Sequence, residues 1–317
     1  MKKSIRQCTA YILPQGFDLL DNGVNEKCIE FPFEFLENPS NIIDSLGFVI
    51  HLDGNCVFSS QSVDCISLKW EKKVLSKKIV DNEFDKIVSQ KPQTAFLSRK
   101  EKKKLKDDLE VALMKNALSQ SEIINLYFTY HNGLGLLIID TANDKKVDYI
   151  IKFLYAREIP PFYNLRAIKC NKSPNALLLD LFQDEHSSGF ELDSSIQYAD
   201  NESGEMITAR NTDLGDENLM KLCQKNGYVS KLGLYHKETG THFVLDDHFC
   251  LKNIQVDWDK FDDDSEDTFD LGKKEQEFQI KIIRQIFTDL IAAADDLLPD
   301  LFENSNAEIV VKLSADE

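Results

Sequence analysis

The sequence has no apolar run approaching the roughly 18 residues that a bilayer-spanning helix requires. Its first residues, Met1, Lys2, Lys3, Ser4, Ile5 and Arg6, lead into a mixed segment and not into an apolar signal core. A cytoplasmic protein with no membrane partner is therefore expected. It also lacks any CxxC pair. The cysteines, Cys8, Cys28, Cys56, Cys65, Cys170, Cys223 and Cys250, are odd in number and widely spread, so a zinc knuckle or dithiol centre is not indicated and reduced core thiols are expected. No Walker loop, GxGxxG, GxSxG or HExxH occurs, which removes the usual signs of nucleotide hydrolysis, dinucleotide binding, serine hydrolysis and zinc proteolysis. No cofactor and no metal are expected. Net positive charge is missing too: the formal balance is −17, which taken as a whole argues against a nucleic-acid binder, because phosphate contacts need local positive potential.

The charge is unevenly placed. Between residues 69 and 106 stand Lys69, Lys72, Lys73, Lys77, Lys78, Lys86, Lys91, Arg99, Lys100, Lys102, Lys103, Lys104 and Lys106, against Glu71, Asp81, Glu83, Asp85 and Glu101. The acid lies elsewhere, most densely at residues 257–270, where Asp262, Asp263, Asp264, Glu266 and Asp267 almost adjoin. The chain is electrostatically polarised.

At 42% hydrophobic composition the chain can bury a substantial core, and its length suits two or three modules. Short apolar runs at 11–13, 29–35 and 48–52, broken by Gly, Asn, Pro and Asp, read as strands and turns. Helical spacing of Val80, Phe84, Ile87 and Val88 predicts a helix over 72–88. A second begins near Ser98, where Ser98 and Glu101 form a capping box ahead of the stripe Leu105, Leu109, Ala112, Leu113 and Ala117. Joined through Lys91, Pro92 and Gln93, the two make a basic helical projection. Arg99, Lys100, Lys102 and Lys103 in the second helix's first turn oppose the macrodipole, whose positive end prefers anions. A bound phosphate would reverse the sign of that effect; the plain alternative is a solvated helix with its lysines in water.

Asn132-Gly133 between apolar runs at 123–130 and 134–140 predicts a β-hairpin. A helix over 144–155 follows, with Val147, Ile150, Ile151 and Leu154 on one face. Strands at 206–209, 228–235, 241–245 and 251–256 and a helix at 216–225 continue the pattern. A last helix over 275–298 carries Ile283, Phe287, Leu290, Ala294, Leu297 and Leu301 as a core stripe, with a coiled coil as the other reading. These elements point to an α+β fold of mixed, mainly antiparallel sheets with packed helices. Four regions are expected: 1–68, 69–120, 121–170 and 171–317.

His242, Asp246, Asp247 and His248 form the one cluster that invites a metal-dependent nuclease. Asp246 and Asp247 are adjacent, however, so a turn exposing two acids is the better reading. The acidic run at 262–267 lacks the glycine and terminal glutamate of an EF-hand loop; it reads as a solvated loop or as a DNA-mimicking interaction surface. His51, His131, His186 and His236 are scattered and make no triad.

The stretch from Arg99 to Leu109, Arg-Lys-Glu-Lys-Lys-Lys-Leu-Lys-Asp-Asp-Leu, resembles the lysine-rich helix start of RdgC proteins, and Glu71-Lys72-Lys73-Val74-Leu75 resembles the segment before it. The blocks at 132–146, 189–192, 207–214, 227–232 and 243–247 are similar to later family blocks in the same order. The likeness spans roughly 66–300. The N-terminal third matches poorly, which leaves open which side chains close a dimer. The resemblance implies a ring-forming subunit: a homodimer encircling duplex DNA without sequence preference, with single strands as an open alternative. It would be nucleoid-associated, restraining RecA-promoted recombination by competing for DNA. It implies no enzyme. The phosphate-contact candidates are Lys69, Lys72, Lys73, Arg99, Lys100, Lys102, Lys103, Lys104 and Lys106, joined by Arg210, Lys231 and Lys252 from the family-like blocks.

Overall fold

The computed structural model describes residues 4–258 and 271–294, less positions 18, 20–22, 61, 91–97, 132, 163, 169–172, 184–188, 202–203, 213, 216–218 and 220–226. In chain order its elements are β1 (Gln7–Ile12), α1 (Val24–Ile29), β2 (Asp44–Phe48), β3 (Val57–Ser59), β4 (Val63–Lys73), α2 (Lys77–Gln90) and α3 (Arg99–Met114). There follow β5 (Ser119–His131), β6 (Leu134–Ile139), α4 (Asp144–Tyr155), β7 (Arg166–Ala167), α5 (Pro174–Gln183), β8 (Phe190–Asp200) and β9 (Met206–Arg210). β10 (Gly227–His236), β11 (Thr241–Asp246), β12 (Cys250–Val256) and α6 (Leu271–Ala293) complete the set. The fold is α+β, as the pattern predicts. The chain forms two compact units. The larger is Met1–Val24, Val57–Cys65 and Leu126–Glu317; the smaller is Asn25–Cys56 and Ile66–Asn125.

In the smaller unit the strand order is β2-β4-β5, with β2 and β4 antiparallel from Asp44↔Lys72 to Phe48↔Leu68. β4 alternates as a half-buried strand should: Ile66 and Leu68 are buried on one face, while Lys69, Glu71 and Lys73 share the other. That second face is covered by the segment before β2. Phe33 N donates to Phe48 O at 2.9 Å, and Phe48 N to Phe31 O at 3.0 Å. Gly47 permits the approach, since a Cβ there would lie 2.5 Å from the Phe33 Cα. The expected helix over 72–88 starts later, at Lys77, because Lys72 and Lys73 remain in β4 and Val74 N still donates to Leu118 O at 2.9 Å.

In the larger unit the order is β5-β6-β1-β12-β11-β10-β8-β9, with β7 beside β1. The hairpin of β5 and β6 runs from Leu126↔Ile139 to His131↔Leu134, and Gly133 supplies the positive φ, 82°, that its turn needs. α4 has the predicted bounds, is capped by the Asn143 side chain, and buries Val147, Ile150, Phe153 and Leu154. α6 lays Ile280, Ile283, Ile286, Phe287 and Leu290 into one core with Leu232, Leu234, Phe243 and Leu245 of the sheet. Its stripe is therefore core packing. α5, which the sequence reading does not anticipate, adds Leu177, Leu178, Leu181 and Phe182 to that core. Cys8, Cys28, Cys56 and Cys250 are buried free thiols. The expected helix at 216–225, the Lys91-Pro92-Gln93 junction and the acidic run at 262–267 lie outside the described residues.

Candidate nucleic-acid interface

α3 starts as the capping box predicts. The Ser98 hydroxyl accepts from Glu101 N at 3.3 Å, and the Glu101 carboxylate accepts from Ser98 N at 2.8 Å and from the Ser98 hydroxyl at 2.7 Å. Those bonds hold the Glu101 carboxyl below the usual carboxylate range. The one acid of the first turn is thus engaged with its own cap. Around it Arg99, Lys100, Lys103 and Lys104 are exposed and Lys102 is half-buried. Among the described residues no carboxylate pairs with any of these five. No side chain of α3 is buried; Lys102, Leu105, Lys106, Leu109 and Leu113 form its half-buried stripe.

The other cations of the basic segment divide by their surroundings. Lys72 is exposed. Lys69 places its ammonium 4.5 Å and 4.1 Å from the ring centres of Phe33 and Phe35, a cation–π arrangement that fastens the covering segment. Lys73 is 3% exposed, and its ammonium donates to Ser40 O at 3.0 Å and Lys115 O at 2.5 Å. Lys106 is paired with Asp81 and stands 5.9 Å above the Phe84 ring, tying α3 to α2. Lys69, Lys73 and Lys106 are thus engaged within the unit, a role that counting charges does not show. Lys77 and Lys78, exposed in the first turn of α2, are absent from the sequence-derived set. They belong to the same basic run, which was signal enough to include them.

Arg210, Lys231 and Lys252 lie on one face of the larger unit's sheet. Arg210 lies opposite Ser195, Lys231 opposite both Gln197 and Asp246, and Lys252 opposite Val244. Directly opposed residues share a face, so these three project from the side of the sheet away from Leu232, Phe243 and Leu245. Arg210 and Lys231 are exposed. Lys252 is bound to Asp246 at 2.5 Å; burial works against its charge, but the bond to Asp246 and that residue's attraction outweigh it and raise its pKa.

The nuclease cluster does not converge. Asp246 is 3% exposed, where a turn displaying two acids was expected. Its Oδ1 accepts the N–H groups of His248 at 3.0 Å and Cys250 at 2.9 Å, and its Oδ2 faces Lys252. This Asx cap shapes the β11–β12 turn, in which Phe249 takes φ 56°. His242 is turned to Asp193 at 3.2 Å and stacks on Tyr235. His248 stands 3.8 Å from Asp247 and 3.9 Å from Asp144 in an exposed position.

No described helix is long and apolar enough to cross a membrane. No curated protein matches the chain. The family model described as "Putative exonuclease, RdgC" matches residues 5–302. That span takes in both the lysine-rich start of α3 and the Arg210, Lys231 and Lys252 face, and the chain belongs to the RdgC family of recombination-associated DNA-binding proteins.

Proposed function

We propose that this protein is a non-enzymatic, sequence-independent DNA-binding protein. It acts as a homodimer closed into a ring around duplex DNA, is nucleoid-associated, and restrains RecA-promoted recombination by occupying the DNA. The observation that carries the reading is the cluster of mostly exposed cations at the start of α3, paired with no carboxylate among the described residues, in a place where helix stability alone disfavours them. Backbone N–H groups, the dipole and the lysines all favour one anion there. Phosphate contacts are assigned to Lys72, Arg99, Lys100, Lys102, Lys103 and Lys104, with Arg210 and Lys231 on the sheet face. These neutralise backbone charge and read no base. The ring, the homodimer and the effect on RecA rest on the family resemblance.

An exonuclease reading would need carboxylates free to hold metal ions, and in the described cluster the Asp246 oxygens are engaged by backbone and Lys252. The test is a fluorescence-anisotropy titration of labelled duplex across a salt series. A log–log slope of about −0.9 per neutralised phosphate is expected, and a flat response overturns the proposal. Light scattering should give twice 36.3 kDa. End-labelled DNA incubated with magnesium or manganese should stay intact, as in EDTA; cleavage would restore the nuclease reading.

A further inference from the structure

We propose that His236, Glu238 and Asp289 form a binding site in the larger unit for one divalent transition-metal ion of the zinc class. His236, at the end of β10, is fully buried, Glu238 in the following turn is exposed, and Asp289 on α6 is half-buried. Their ligand atoms all lie within 4.8 Å of one another.

The argument starts from hydrogen-bond direction. The Thr241 hydroxyl donates to Thr239 O at 3.0 Å, because a carbonyl only accepts. Its single proton being placed there, Thr241 must accept from the Thr239 hydroxyl at 3.1 Å. The Thr239 hydroxyl, with its own proton placed, accepts from His236 Nδ1 at 2.8 Å. Nδ1 therefore carries a proton, and in the neutral ring Nε2 presents a lone pair. That lone pair meets the Asp289 Oδ2 at 2.9 Å. Two electron-rich atoms at this distance need a cation between them.

A proton would satisfy the pair formed by His236 and Asp289 alone, whereas a divalent ion would also engage Glu238, whose carboxylate lies within 4.8 Å of both. A divalent ion balances both carboxylates with a neutral histidine. The surroundings suit a metal ligand. Thr239 fixes the ring and its tautomer from the far nitrogen, the usual supporting bond of a metal-bound histidine. Gln285 Nε2 donates to both Asp289 oxygens at 3.1 Å and fixes the carboxylate. A set of one imidazole and two carboxylates matches zinc and disfavours magnesium, which prefers an all-oxygen octahedron. The ion would tie α6 to the β10–β11 hairpin. Sequence reading passes over the site because His236-Lys237-Glu238 supplies two ligands and the third arrives from a distant helix.

The test is calorimetric titration of Zn²⁺ into tag-free, full-length protein, with Co²⁺ absorption as the reporter of ligand type. One equivalent should bind, Zn²⁺ should raise the melting temperature, and Co²⁺ should show no thiolate charge-transfer band. D289N should abolish binding. E238Q, at an exposed position that the fold does not need, should weaken it tenfold or more. Absence of binding, affinity unchanged in E238Q, or a thiolate band would each overturn the proposal. So would a melting temperature that follows pH but not Zn²⁺, which would leave a proton alone between His236 and Asp289.

Discussion

Replacing Arg99, Lys100 and Lys103 together by glutamine separates a phosphate-binding helix start from a merely solvated one. All three side chains are exposed, and none is paired with a described carboxylate, so the replacement breaks no ion pair among the described residues. Cations in the first turn oppose the macrodipole by about 0.3–1 kcal/mol each at low salt. The variant should therefore unfold in urea at the same or a higher midpoint than the parent. DNA binding should move the other way. If each side chain neutralises one phosphate, the log–log salt slope becomes shallower by about 0.9 per residue, or about 2.7 for three. Between ~50 and ~200 mM salt a difference of that size amounts to about 40-fold in affinity. Anisotropy with a labelled duplex at four or five salt concentrations reads the slope directly. Unchanged slope with raised stability would mean that the three cations face only water, and the reasoning fails at its first step.

Asp246→Ala removes the acceptor of two backbone N–H groups and the partner of Lys252 in a buried turn, and should lower the stability of the larger unit by about 2–4 kcal/mol in chemical denaturation. Lys73→Met leaves the Ser40 carbonyl without this donor and the Lys115 carbonyl with the Ser40 N–H at 3.2 Å in place of two donors, and should cost about 1–3 kcal/mol, while the salt slope of DNA binding stays at the parent value. Glu71 is held below the ordinary carboxyl value of 4.5 by hydrogen bonds from the Ser119 hydroxyl and the Leu36 N–H. Its contribution is therefore present in full above that value and is lost as pH falls through the lowered one. Glu71→Gln should flatten the acid limb of a denaturation-against-pH series, and an identical acid limb would refute the assignment.

What the sequence discloses depends on how local the cause is. The start of α3 is legible because Ser98 and Glu101 act across three residues. α4 is legible in its bounds and in Val147, Ile150 and Leu154 because its buried face is written at helical spacing within twelve residues, although Phe153 and not Ile151 completes that face. The hairpin turn is legible because Gly133 can adopt the φ it needs. Lys69 and Lys73 are not, since their surroundings are set by residues 33–40, remote in sequence from the strand they cover. Asp246 fails for a related reason. A pair of adjacent acids looks like surface, and only the closed β11–β12 turn shows that one of them accepts backbone donors. α5 was hidden because an apolar run of its length fits strand or helix equally well.

The net charge of −17 is no obstacle to binding a polyanion once partners are assigned. The smaller unit holds fifteen lysines and arginines against fifteen aspartates and glutamates, so the whole excess of acid belongs to the larger one. Within the smaller unit Asp81 is paired with Lys106 and Glu83 with Lys86, while Glu71 and Glu101 keep their charge and are held by hydrogen bonds from Leu36 and Ser119 and from the Ser98 cap. Among the described residues, no carboxylate is paired with the cations at the start of α3. A phosphate responds to charges within about one Debye length, ~8 Å at physiological ionic strength, and at that range the unpaired lysines dominate whatever sum the rest of the chain carries. On the proposed function, the local field and not the isoelectric point would decide where DNA binds. Adding acid to the larger unit away from the Arg210 and Lys231 face should leave the salt slope unchanged, while placing one glutamate at Lys100 should reduce it.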